Sequence, residues 1–280
     1  MESLDTYNYD IASDPVVGII EKWYQKLGFD RCFDSEFYEM LHNIPVSSDV
    51  TIDNYDLKCA DGKKNLLSFL YMCEALREQY LQKGISEEIL VDTLRDIVRW
   101  CNVWSELDGH MSLKELSWLS HHMRGELFKL GRLQFCIERT RASFDTLGIE
   151  KGETVIGVHI PKDGPLDIDA CRDSFKMAKS FFAKYFPDVH YRYFSCHSWL
   201  LDDSLKEILP ETSNIIRFGD MFHKVYAEKS EAITYYVFRW LIKPNEIEDF
   251  VCTSRFAQTV KERYLAGMEF HDTQGFIENI

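Results

Sequence analysis

The sequence predicts an α+β protein in which an N-terminal helical bundle is followed by a mixed α/β sheet domain. Three observations carry that prediction. Through about residue 120, apolar residues recur at helical spacing between capping signals. After Gly125 the period changes to short β-branched and aromatic runs. Within that second half, one long helical stripe lies between two strand-like runs, the pattern of a parallel strand–helix–strand unit. The boundary falls between a helical domain at 1–123 and a sheet domain at 124–280.

DPVVGIIEKWYQKLG places a cap at Asp14, proline at the first helical position, an apolar stripe of Val16, Ile19, Ile20, Trp23 and Leu27, and Gly28 as the stop. Residues 34–43 read as a second helix. Residues 63–83 read as a third, with Leu66, Phe69, Leu70, Cys73, Leu76 and Tyr80 on one face. Ser86 opens a fourth that runs through Leu90, Leu94, Ile97, Cys101 and Trp104 to Gly109, and SLKE at 112–115 has the form of a capping box before Leu116, Leu119 and Met123.

In the second half, 126–140 is extended and ETVIGVHI (153–160) reads as a strand buried on both faces. A helix follows from about Asp169 to Tyr185, then a strand over YRYFSCHSWLL (191–201) and a short helix at 203–209 stopped by Pro210. NIIRF (214–218) leads to a helical turn near 220–227 and an aromatic strand, ITYYVFRWLI (233–242). Thr253–Ala266 reads as the last helix, with a final strand or tail after it.

The chain has 280 residues, of which 45% are hydrophobic and 28% charged, with only 14 Gly and 7 Pro, which excludes fibrous, low-complexity and disordered classes. A net charge of −14 repels phosphate backbones and anionic lipid, so neither nucleic acid nor a membrane is an expected partner. The acidity sits in the helical half, where residues 1–115 hold 22 Asp and Glu against 11 Lys and Arg; such a surface is read as a solvated face. No apolar stretch is long enough to span a membrane and MESLDTYNYD lacks a signal pattern, so the chain reads as cytoplasmic. The eight Cys are scattered without a CxxC pair, and His121 and His122 point about 100° apart on a helix, so no metal is assigned.

The junction after His159–Ile160 is the most informative place for chemistry. Pro161, Gly164 and Pro165 make a rigid turn whose amides, with the helix start behind them, suit phosphate or pyrophosphate. An ordinary strand-to-helix loop explains the same residues, and Asp163, Asp167 and Asp169 support it by placing carboxylates at the positive end. His159 ends a buried strand where open sheets place their ligand crevices, which makes it a candidate general base or a hydrogen-bonded structural histidine. Cys196 and His197 face opposite sides of a strand, so they form no thiolate dyad; a buried structural thiol, on the face it shares with Phe194 and Ser198, is the plainer reading of Cys196. Tyr235, Tyr236 and Trp240 are candidates for lining an acyl or pantetheine cleft, with core packing as the default. Walker, dinucleotide, nucleophile-elbow and HExxH motifs are absent from the sequence.

LGRLQF (130–135), VHIPKDGPL (158–166), CRDSF..A..FF..YFPD (171–188) and FSCHSWLLDDSLKEILP..SNI..F (194–218) together resemble a two-domain bacterial family of N-acyltransferases with a helical N-terminal domain and a GNAT-like C-terminal domain. WCNVWSELDGHMSL (100–113) carries the resemblance more loosely into the helical half. The resemblance implies a mixed sheet splayed between two central strands, with acyl-coenzyme A held in the splay. HIPKDGPLDIDACR stands where GNAT proteins carry Q/R-x-x-G-x-G/A, so by position Gly164 and its neighbouring amides fall at the pyrophosphate, with Lys162 and Arg172 as charge partners. His159 and Ser198 then fall near the reacting thioester. No residue matches an established GNAT general base.

Residues and resemblance together lead to an N-acyltransferase with acyl-coenzyme A as co-substrate. A small-molecule or peptide amine attacks the thioester directly, His159 is the base, and amides or Ser198 stabilise the oxyanion. Two alternatives remain: a non-catalytic GNAT-shaped binding or interaction module, and a thiol-dependent acyl hydrolase or transferase built on Cys196.

Overall fold

The computed structural model describes residues 14–238 and 244–279. The chain divides into two compact units, Met1–Phe128 and Lys129–Ile280.

The first unit is helical: α1 (Pro15–Leu27), α2 (Asp34–Asn43), α3 (Gly62–Lys83), α4 (Glu87–Asp108) and α5 (Leu116–Met123). Local chemistry sets several ends. Asp14 accepts from the Val16 amide, Asp61 from Lys64 and Ser86 from Ile89, while Gly28, Gly84 and Gly109 close α1, α3 and α4 in the left-handed conformation. Trp23, Leu66, Phe69, Leu70, Leu90, Leu94 and Ile97 are among the residues that fill the core between them. The SLKE box does not form. The cap position of α5 is Glu115, which makes no side-chain capping bond, and Ser112 instead packs against Gly62 at the start of α3, where the Leu113 amide donates to the Gly62 carbonyl at 3.0 Å. Tertiary packing against another helix has taken the serine that local pattern assigned to a cap.

A buried ion cluster ties α5 to α4. Asp96, 3% exposed, accepts from Trp118 Nε1 at 2.8 Å, His122 Nε2 at 3.0 Å and Arg99 Nη1 at 2.7 Å. Burial alone would push the Asp96 carboxyl up, but the bonds from His122 and Trp118 and the charges of His122 and Arg99 outweigh it and hold the group well below the usual carboxylate range.

The second unit and the strand entering it contain β1 (Leu127–Leu130), β2 (Leu133–Arg139), β3 (Thr154–His159), α6 (Ile168–Tyr185), β4 (Tyr193–Ser198), α7 (Asn214–Gly219), β5 (His223–Lys229), α8 (Ala232–Phe238), α9 (Arg255–Leu265) and β6 (His271–Glu278). The six strands form one mixed sheet in the order β1-β2-β3-β4-β6-β5. β3 and β4 are parallel, joined through α6, while β2–β3, β4–β6 and β5–β6 are antiparallel. α6 covers one face by packing Phe175 edge-on against Phe135 and Phe194, at ring separations of 5.6 and 5.1 Å. A satellite core of Leu205, Ile216, Ile233, Phe238, Ile247, Val260 and Phe270 holds α7, α8 and α9 together.

Three readings of this half are corrected. ITYYVF is helical (α8), not a strand, with the Ala232 amide capped by Ser230 Oγ at 3.0 Å; the rest of that predicted strand, with Trp240, lies outside the described residues. The segment read as a helical turn near 220–227 turns into strand at His223, where β5 begins. The strand predicted over 191–201 ends at Ser198, where the Ser198 hydroxyl accepts from the Leu200 amide and turns the chain into a short 3₁₀ segment.

Replacing Asp96 with alanine is expected to cost about 3–5 kcal/mol in urea unfolding, because it strips the partner from buried cationic and donor groups. The sign with pH follows from the depressed carboxyl: its contribution is complete above about pH 4 and is lost as pH falls toward the folded value. The variant should therefore lose stability less steeply than the parent between about pH 5 and pH 2.

Candidate active site

The parallel pair at the centre of the sheet is incompletely zipped. β3 and β4 each contain six residues, yet only Ile156–Phe194 and Gly157–Ser195 are in register, whereas β2–β3 and β4–β6 each pair over six positions. Beyond Gly157 and Ser195 the two strands continue without ladder pairs: Val158 and His159 on one side, Cys196, His197 and Ser198 on the other. Each diverging strand is supported from behind, β3 by β2 and β4 by β6, so the gap does not unravel the sheet.

Alternation sorts the residues beside this gap onto two faces. Phe194, Cys196 and Ser198 lie on the face covered by α6. Gly157, His159, Ser195 and His197 lie on the other, with Glu138 from β2 and Gln274 from β6. The sheet thus places His159 and Ser198 at the open ends of adjacent strands but on opposite faces. Cys196 shares the Ser198 face.

On the His159 face a polar band crosses the sheet. His159 Nε2 lies 2.9 Å from Glu138 Oε1, Gln274 Nε2 donates to Ser195 Oγ at 2.9 Å, and His197 Nε2 lies 3.4 Å from Glu228 on β5. A carboxylate only accepts, so the Glu138 contact assigns the ring proton to Nε2 of His159 and fixes the plane of a half-buried imidazole. Glu138 was not among the residues singled out from sequence. It reaches His159 because residue 157 has no side chain: a Cβ there would come within 2.6 Å of Glu138 Oε2. The available signal was the glycine itself, since Gly inside a buried strand marks close approach by another group.

Cys196 is buried, and burial first, then the charges of Glu138 and Asp272, push its thiol well above the ordinary range. The Ser198 hydroxyl, besides accepting from Leu200, remains a donor.

The loop from β3 to α6 carries the predicted anion-binding residues. Lys162 and Gly164 are exposed, and Gly164 sits at φ 112°, a conformation that suits glycine. Arg172, on the first turns of α6, pairs with Asp169 at 2.9 Å. The other two loop carboxylates are also engaged: Asp163 lies 3.0 Å from Lys129 and 3.3 Å from Arg132, and Asp167 caps α6 through the Ala170 amide at 2.8 Å. The amides of Lys162, Gly164 and Leu166 have no acceptor within the described residues. Among the described residues no group of three or more His, Cys, Asp or Glu is assembled to hold a metal, and no helix is long and apolar enough to cross a membrane.

Two family models match the chain in tandem: an N-acyltransferase N-terminal domain over residues 29–125 and a GNAT-like C-terminal domain over residues 127–277, the latter more than half of the chain. The chain belongs to this N-acyltransferase family. Solved acyltransferases share its fold. One in complex with decanoyl-CoA and teicoplanin matches 92% of this chain and 87% of that one, at 23% identity and a TM-score of 0.77. Another, in complex with CoA and 10C-teicoplanin, is 27% identical over 77% of this chain, with a TM-score of 0.68; the chain spans 66% of its length. A third, in complex with decanoyl-CoA, is 26% identical over 94% of this chain and 77% of that one, with a TM-score of 0.67. No curated protein matches the sequence.

Two measurements check the site of this N-acyltransferase family member. Gly157→Ala should fold with little loss of thermal stability, since the clashing group is the mobile end of a side chain, but should displace the Glu138 carboxylate; 15N shifts of the His159 ring are expected to lose their preference for the Nε2–H tautomer. Iodoacetamide at neutral pH should label exposed Cys32 and leave Cys196 unmodified until the protein is unfolded.

Proposed function

We propose that this protein is an acyl-coenzyme A-dependent N-acyltransferase that moves an acyl group to an amine by direct attack. The observation that carries the reading is the β3–β4 gap: two parallel strands that share two register pairs and then diverge, with His159 on one lip and an anion-suited loop immediately after it. Unpaired strand edges at a gap need hydrogen-bond partners, and the amides of a pantetheine arm are of the kind that can pair with them. The decanoyl-CoA complex of a related acyltransferase at 26% identity and the CoA complex of one at 27% support the same co-substrate.

The co-substrate supplies an acyl carbon activated as a thioester. The chain's residues do the rest. The loop amides of Lys162, Gly164 and Leu166, lacking internal acceptors, fit a pyrophosphate, and Lys162 adds charge beside it, while Arg172 offsets Asp169. His159, oriented by Glu138, takes the proton from the attacking nitrogen as the C–N bond forms; the oxyanion then collapses, the C–S bond breaks, and the departing coenzyme A thiolate takes the proton back from the His159 imidazolium. The Ser198 hydroxyl and strand amides at the gap donate to the oxyanion. Cys196 has no nucleophilic part in this scheme, being buried with its thiol held protonated. The acceptor is a small-molecule or peptide amine; the teicoplanin complexes of related acyltransferases support a glycopeptide amine as the first acceptor to try.

Calorimetry with coenzyme A, followed by thiol release from acyl-coenzyme A with a panel of amines, tests the reading. Saturable binding and amine-dependent thiol release are expected. Binding without turnover would leave a binding module, and the absence of binding would overturn the reading. His159→Gln should lower kcat about 10²–10⁴-fold while leaving coenzyme A affinity within about twofold.

A further inference from the structure

The loop after β3 lacks the glycine signature that normally shapes a pyrophosphate cradle, and its shape comes from outside. Arg132, in the β1–β2 turn, sends its guanidinium beneath the loop. Nε donates to the Pro165 carbonyl at 2.8 Å, Nη1 to the Pro161 carbonyl at 3.0 Å and to Asp163 Oδ1 at 3.3 Å, and Nη2 to the Gly164 carbonyl at 3.1 Å. Its side chain is 11% exposed, and Lys129, also 11% exposed, joins it on Asp163. The turn that carries Arg132 is itself pinned to α6: Ser174 Oγ accepts from the Arg132 amide at 2.7 Å and from the Leu133 amide at 3.3 Å, and Gly131, at φ 70°, has no room for a Cβ beside that hydroxyl.

In a planar trans peptide the C=O and N–H of one unit point in opposite directions. The Pro161 carbonyl shares its peptide with the Lys162 N–H, and the Pro165 carbonyl shares its peptide with the Leu166 N–H. By drawing those two carbonyls inward, the guanidinium turns the two amides outward, and neither has an acceptor within the described residues. The same cation neutralises the carboxylate closest to the turn. Without it, three carbonyls and Asp163 would converge on one another, and the peptide planes would rotate.

We propose that Arg132 is a positioning residue for the coenzyme A pyrophosphate: it never touches the ligand but orients the Lys162 and Leu166 amides that do. This inference rests on the coenzyme A reading above. A bidentate, forked donor is required, so lysine, a single point charge, is not an equivalent replacement.

The test is calorimetry of the full chain and of Arg132→Gln and Arg132→Lys with coenzyme A and with pantetheine, which lacks the pyrophosphate. Both variants should weaken coenzyme A by about tenfold or more while pantetheine affinity stays within about twofold, and Arg132→Lys, which keeps the cation, covers the case in which Arg132→Gln does not fold. Unchanged coenzyme A affinity in a folded variant, or equal weakening of both ligands, would overturn the positioning role. A parent protein that binds neither ligand would overturn the coenzyme A reading instead.

Discussion

Hydrogen-bond ladders in a sheet usually run the full length of neighbouring strands, and the central constraint on this molecule is that one of them does not. β3 and β4 are locked to antiparallel neighbours on their outer sides and to each other over only two positions. The stiffness of the outer pairings lets the inner one stop early without a loss of order, and the shared crossover helix α6 keeps the two strands from separating altogether. The groups proposed for the chemistry are placed by that arrangement. His159 lies at the end of one strand, Ser198 at the end of the other, and the anion loop is the continuation of β3 into α6.

The chemistry of the loop bears on the proposed anion site. Three aspartates within seven residues would make a poor neighbour for a phosphate if left bare, but each has an internal partner: Lys129 and Arg132 for Asp163, the Ala170 amide for Asp167 and Arg172 for Asp169. The local field at the loop is therefore set by backbone amides and Lys162 rather than by the carboxylates. On the β2 side of β3, Glu138 works in the same manner on His159, a carboxylate from the neighbouring strand reaching over a glycine to fix a ring.

Much of the first unit was legible because its signals are local. Asp14, Pro15 and Gly28 bracket α1, and Ser86 and Gly109 bracket α4, within a few residues of the elements they define. Legibility failed where distance in sequence decided the outcome. Ser112 looked like a cap until Gly62, on another helix, took it as a packing partner. ITYYVF has strand propensity throughout, yet Ile233 and Phe238 are drawn into a core built by α7 and α9, and the segment folds as a helix. Among the candidate residues, the strand–loop junction that holds His159 and Gly164 was readable from the sequence, and the structure places both there. Glu138 and Arg132 act through register and across the loop, so each is an ordinary charged residue until pairing brings it 20 or more residues back to its partner.

The last strand in the chain order sits in the interior of the sheet, with β4 on one side and β5 on the other. A ribosome delivers this polypeptide from its N-terminus, so β4 and β5 emerge long before the segment that completes them. Until His271–Glu278 appears, β4 has only its two pairs with β3 and β5 has no neighbour in the sheet. Nascent chains therefore pass through an interval in which two strands offer open hydrogen-bonding edges, and a chain whose synthesis halts in that interval is left with surfaces suited to self-association.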